Sequence, residues 1–166
     1  MLMFIYRQLS RRGFSLIEIL IVVAIILVIA AIAIPRFLDS KMAANEASAV
    51  SSVRQINTAQ TTYSISYAAV GYADDLAKLG PAPSSVVDSA HAGLIDWVLG
   101  CATQPCSKSG YSFAITNATG SPVVDYSITG VPQSVGQTGR RGFCGNRTNV
   151  ITVDFAGGTN CTAPLQ

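Results

Sequence analysis

The chain has 166 residues, of which 49% are apolar and only 12% charged, and its formal net charge is +2. That composition excludes intrinsic disorder and gives no support to a protein built throughout for nucleic acid. A mean hydropathy of +0.40 argues against a fully soluble monomer, and the cause is local: much of the apolar excess sits in one N-terminal block.

Residues 1–13 carry Arg7, Arg11 and Arg12 and no acid. From Ile19 to Ile34, sixteen consecutive residues are Ile, Leu, Val or Ala, and from Phe14 to Ile34 the only charge is Glu18. A helix over 14–34 spans about 31 Å at ~1.5 Å per residue, the thickness of a bilayer's hydrocarbon core. Its Ile, Leu and Val residues supply on the order of −4 to −7 kcal/mol towards insertion, against a cost below ~3 kcal/mol for a carboxylate near the edge. The segment should insert, with Arg11 and Arg12 on the cytoplasmic side and the chain beyond Pro35 on the other. A plain signal anchor needs only this hydrophobicity. A cleaved secretory signal has the Ala31-Ile32-Ala33 form, but the apolar run is longer than an ordinary signal core and helix-like sequence continues past it. Neither accounts for a Gly-Phe junction directly after two arginines with a lone Glu four residues on.

Arg12-Gly13-Phe14-Ser15-Leu16-Ile17-Glu18, followed by the apolar run and Pro35, closely resembles the class III leader of type IV pilins and type II secretion pseudopilins. The resemblance is strong over residues 7–36 and loose beyond them. It implies cleavage between Gly13 and Phe14 by a prepilin peptidase and methylation of the new Phe14 amine. Loss of the leader leaves eight basic against nine acidic residues, turning the side-chain charge from +2 to −1. It further implies that Glu18 of one subunit meets the Phe14 amine of a neighbour in a growing filament. Opposite charges attract strongly where water is excluded, and either one left unpaired there is costly. Snorkelling of Glu18 to the headgroups is the plainer alternative.

Pro35 lacks an N–H and crowds the carbonyl of Ala31, so a helix kink or a simple end to the span is expected there. Over 36–68, Leu38, Met42, Ala49, Val53, Ile56, Tyr63 and Tyr67 follow a three- and four-residue spacing that Gln60 interrupts. This predicts an amphipathic helix. One helix from about 14 to 68 would be about 80 Å long. Tyr63 and Tyr67 are read as packing against a head.

Gly71 marks a change of composition, and 71–85 is rich in turn formers. Asp88-Ser89 would cap a helix to about Leu99, with Leu94, Ile95 and Val98 as its apolar face, Gly100 as its end and His91 upon it. Residues 111–117 and 123–129 alternate as strands around Gly120-Ser121-Pro122, and 140–144 and 149–155 suggest a second hairpin. The expected architecture is α+β: a long N-terminal helix, membrane-spanning in its first half, packed on a small antiparallel sheet of three or four strands, as in a type IV pilin head. The expected parts are a leader over 1–13, an assembly helix over 14–35, an amphipathic continuation over 36–70 and a head over 71–166.

Cys101, Cys106, Cys144 and Cys161 all lie in the head, and an even number there suits disulfides in an exported domain. Three pairings are possible. Cys101–Cys106 with Cys144–Cys161 is favoured, the second resembling the C-terminal disulfide loop of many pilins. Reduced structural cysteines are the bland alternative.

There is no P-loop, G-x-G-x-x-G, H-E-x-x-H or EF-hand loop, so no enzymatic activity, cofactor or metal is expected. Asp74-Asp75 could join a calcium site, with a solvated turn as the ordinary reading. Asn117-Ala118-Thr119, Asn146-Arg147-Thr148 and Asn160-Cys161-Thr162 match the N-glycosylation pattern, which in a bacterial chain is usually bare. Arg140, Arg141 and Arg147 could touch DNA phosphates, or form a solvated face. The resemblance implies a major or major-like pilin, held in the bacterial inner membrane and then polymerised into a periplasmic or extracellular filament for adhesion, twitching or DNA uptake. Its implied partners are identical subunits, a prepilin peptidase and, indirectly, an assembly platform and ATPase. A type II secretion pseudopilin and a membrane-anchored binding module that never polymerises are the alternatives.

Overall fold

The structure, a computed structural model, describes residues 13–83 and 86–165. A run with no glycine and one proline gives one long helix, α1 (Leu16–Ser66), which begins as Ser15 O accepts from Glu18 N and Ile19 N and continues through Pro35. Gly71, at φ +85°, stands past its end. The chain divides into two units after Phe37.

In the first unit, α1 is apolar on every side. Ile25, Ile26, Leu27 and Val28, about 100° apart around the axis, are 55–65% exposed.

In the second unit, α1 buries one stripe: Met42, Glu46, Ala49, Val53, Ile56, Gln60 and Tyr63. The spacing alternates four and three residues, which keeps one face turned to a core. Two members of the stripe are polar, so Gln60 continues it rather than interrupting it, while Leu38 is exposed. Tyr63 is buried and donates to Ser89 O, and Tyr67 packs against it. The stripe faces a six-stranded antiparallel sheet in sequential order: β1 (Cys106–Lys108), β2 (Tyr111–Thr119), β3 (Asp125–Pro132), β4 (Gly142–Asn146), β5 (Thr152–Asp154) and β6 (Ala163–Pro164). Alternation places Tyr111, Phe113, Ile115, Tyr126, Ile128, Phe143 and Val153 in the core. Gly145 lets helix and sheet approach closely: a Cβ there would stand 2.8 Å from Asn57 Nδ2 and 2.9 Å from a Val53 methyl.

Among the described residues the sheet therefore has six strands, not three or four. The expected helix over 88–99 does not form. A four-residue helix, α2 (Leu76–Leu79), lies earlier, capped by Asp75. Asp88 and His91 exchange backbone hydrogen bonds, and Asp88 Oδ1 accepts from Ala90 N and His91 N. Gly93 then takes φ +64°, and the chain runs beside α2, with Ala92 N donating to Lys78 O and Leu94 N to Leu79 O. Asp96 Oδ1 accepts from Val98 N and Leu99 N. Short acidic side chains that bond their own backbone favour turns over helix. Ile95 and Leu99 are buried, whereas Val98 is exposed and His91 lies in a turn.

Sulfur–sulfur bonds join Cys101 to Cys106 at the start of β1, and Cys144 in β4 to Cys161 near the C-terminus.

Candidate functional site

The residues that the leader motif singles out stand at the start of α1. Gly13 and Phe14 precede the helix, and Phe14 is 77% exposed. A Cβ on Gly13 would meet nothing within 4 Å, so the packing of the described chain does not call for glycine there. Glu18 is exposed in the first turn, where an acid favours the positive end of the helix dipole. No described cation pairs with it. Arg7, Arg11 and Arg12 lie outside the described residues. Pro35 sits inside α1.

The apolar residues around Glu18 are left uncovered. Ile19, Leu20, Ile29 and Ile32 are each half or more exposed, and none of the most apolar stretch is buried. Exposed aliphatic surface of this extent requires lipid or other chains.

A second polar centre lies in the head. Glu46 Oε1 accepts from Arg140 N at 2.8 Å and Arg141 N at 3.3 Å, while Oε2 accepts from Arg141 Nε at 2.8 Å and its Nη2 at 2.6 Å. Burial raises the Glu46 carboxyl, but the Arg140 backbone N–H and the Arg141 side chain outweigh it and hold it below the ordinary carboxylate value. Tyr111 donates to Arg141 O at 2.9 Å, and burial pushes its phenol well above the ordinary range. Arg140 also pairs with Asp39 at 2.9 Å, and Arg147 stands 3.7 Å from Asp125. The three arginines expected to act together are therefore each matched to a different acid. The Asp74-Asp75 pair is likewise divided: Asp74 bonds Lys78, and Asp75 caps α2.

Glu46 has no hydrophobic signal, and its partners lie more than ninety residues away. The clue in the sequence is position: it falls between Met42 and Ala49 on the buried register.

A glycine–phenylalanine junction ahead of an uncovered apolar helix with one acid in its first turn is the arrangement that a prepilin-type leader would present. Residues 9–34 match the family model for the prokaryotic N-terminal methylation motif. That match supports the type IV pilin and pseudopilin family and a structural, pilin-like role, with membrane anchoring before filament assembly. The α+β head, a long helix on an antiparallel sheet, agrees with a pilin fold. No curated protein and no solved structure gives a match to the chain.

Proposed function

We propose that this chain is the structural subunit of a type IV pilus, cut after Gly13, methylated on Phe14 and polymerised with identical copies into a surface filament. The observation that carries the reading is the first unit of α1. It is uncovered all round, yet interrupted by a single carboxylate four residues from the junction at which cleavage would create a cation. In a filament, neighbouring helices would cover the aliphatic surface and supply most of the cohesion. Pairing of Glu18 with the Phe14 amine of a neighbour would set the axial register, because a charge displaced from its partner in a dry environment is costly. Methylation keeps the positive charge and adds apolar surface. Pro35, which deprives the Ala31 carbonyl of its helical donor, is the place where the helix could open on assembly.

On this reading, residues 1–13 are the leader, 14–35 the assembly helix, 36–70 its amphipathic continuation and 71–166 the head. The Cys144–Cys161 bond favours a pilus subunit over a secretion pseudopilin through the family's C-terminal loop. Adhesion, twitching and DNA uptake are the outcomes such a filament serves. The test is to shear filaments from cells and determine their subunit by mass spectrometry. Pili built of a chain beginning at N-methylated Phe14 support the proposal. A chain retained in the membrane with Met1 intact, in cells whose filaments contain other subunits, overturns it.

A further inference from the structure

The far side of the sheet carries an uncharged groove. Strand pairing sets Thr116, Ser127 and Asn146 in one row and Thr129, Cys144 and Thr152 in the next. On β3, Tyr126 and Ile128 are buried, so the alternating Ser127 and Thr129 face away from the core. These rows line a hollow of about 340 Å³ whose walls hold hydroxyls, amides and the Cys144–Cys161 bond, and no charged side chain.

Three Asn-x-Thr triplets, far apart in sequence, meet at this groove. Asn117 and Asn146 line it, and Asn160 lies between two further lining residues, Thr159 and Cys161. All three asparagines are exposed. Asn117 sits where the β2–β3 register shifts, with φ +53°. Asn146 is the most fully prepared. It ends β4, and the turn after it is closed by Asn149 N donating to Asn146 O at 3.0 Å. Within that turn the Thr148 hydroxyl donates to Asn146 Oδ1 at 2.6 Å, and Thr148 N donates to the same oxygen at 3.0 Å. Both bonds fall on the carbonyl oxygen, so the amide plane is fixed while Nδ2 has no hydrogen-bond partner among the described residues.

We infer that Asn146 is an acceptor for an N-linked oligosaccharide, and that the groove seats the first, uncharged sugars. The triplet pattern marks an acceptor amide on an exported surface, and a wall of hydroxyls and amides can bond a neutral polyol without burying a charge. The donor would be an oligosaccharide carried on a lipid pyrophosphate. A bond forms between Asn146 Nδ2 and the anomeric carbon. The bond from that carbon to the pyrophosphate oxygen breaks, and the lipid pyrophosphate leaves with its electron pair. Nδ2 gives up one proton to a base of the transferase. The inference rests on the reading above that the head is exported.

The test is peptide mapping by mass spectrometry of the full chain, purified from its native cells and reduced. The expected result is a saccharide mass on the Asn146 peptide. It should be lost in Asn146→Gln and Thr148→Val and retained in Thr148→Ser, which keeps the hydroxyl. A bare Asn146 in the unaltered chain, or a saccharide mass that survives Asn146→Gln, overturns the inference. The N-terminus is read in the same spectra. A chain beginning at Phe14 with bare Asn146 defeats only the glycan, whereas a modified Asn146 on an uncut chain defeats only the pilin reading.

Discussion

Glu46 and Gln60 show how single polar side chains fix a helix to loops distant from it. The Gln60 amide accepts from Ala73 N at 2.8 Å and donates to Ala73 O at 2.7 Å, standing in for a neighbouring strand. Glu46 only accepts, from the backbone N–H groups of Arg140 and Arg141, and adds an ion pair. Removing one partner of a fully buried pair costs roughly 3–5 kcal/mol. With Arg141 40% exposed, Glu46→Ala should cost about 2–3 kcal/mol, read by denaturant unfolding of the detergent-solubilised chain. The pH dependence has a definite sign. The folded carboxyl lies below its ordinary value of 4.5, so its stabilisation is fully present above that value and is lost as pH falls through the lower folded one. Acid titration of stability should therefore be shallower in Glu46→Gln than in the unaltered chain. Neither residue is legible as an anchor in the sequence. Periodicity finds Met42, Ala49, Val53, Ile56 and Tyr63 because apolar groups announce their own burial, whereas a buried amide or carboxylate depends on a partner that folding has yet to supply.

Among the elements, α1 is the most legible: its expected span of 14–68 becomes Leu16–Ser66, since long periodicity leaves little room for error. β2 and β3 are legible from alternation, and β4 and β5 less so. β1 and β6, of three and two residues, are too short to show any period. The segment over 88–99 misleads because Ile95 and Leu99 are spaced as on a helix while Asp88, Gly93 and Asp96 set turns, and local hydrogen bonds decide. At Gly145 the helix–sheet contact leaves no room for a side chain. Gly145→Val should lower stability by about 1–3 kcal/mol, the usual cost of overpacking, with a lower thermal midpoint as the readout. The Cys144–Cys161 bond closes a loop with a sequence separation of 17. Cys144→Ser with Cys161→Ser should cost roughly 2–4 kcal/mol and make the chain after Asp154 the first site of limited proteolysis.

At the scale of the whole chain, the two units present opposite surfaces to solvent: an aliphatic helix in one, and a sheet and turns around a closed core in the other. Gly13→Trp should block cleavage and leave only the slower precursor band on a gel, although a Cβ at that position would meet nothing within 4 Å. Glu18→Ala should be cleaved and held in the membrane yet yield few filaments by electron microscopy; normal filament numbers would remove the carboxylate from assembly. The leader was legible because its chemistry is written in consecutive residues. The Asn146 groove was not, because Thr116, Ser127 and Asn146 meet only through strand pairing, and Thr159 joins them beside the Cys144–Cys161 bond.

The margins of the sheet, β1 and β6, are stubs. A long bare edge offers any passing strand a template for pairing, and brief edges withhold it. A second sheet meeting either of these margins therefore finds only two or three residues of backbone with which to pair.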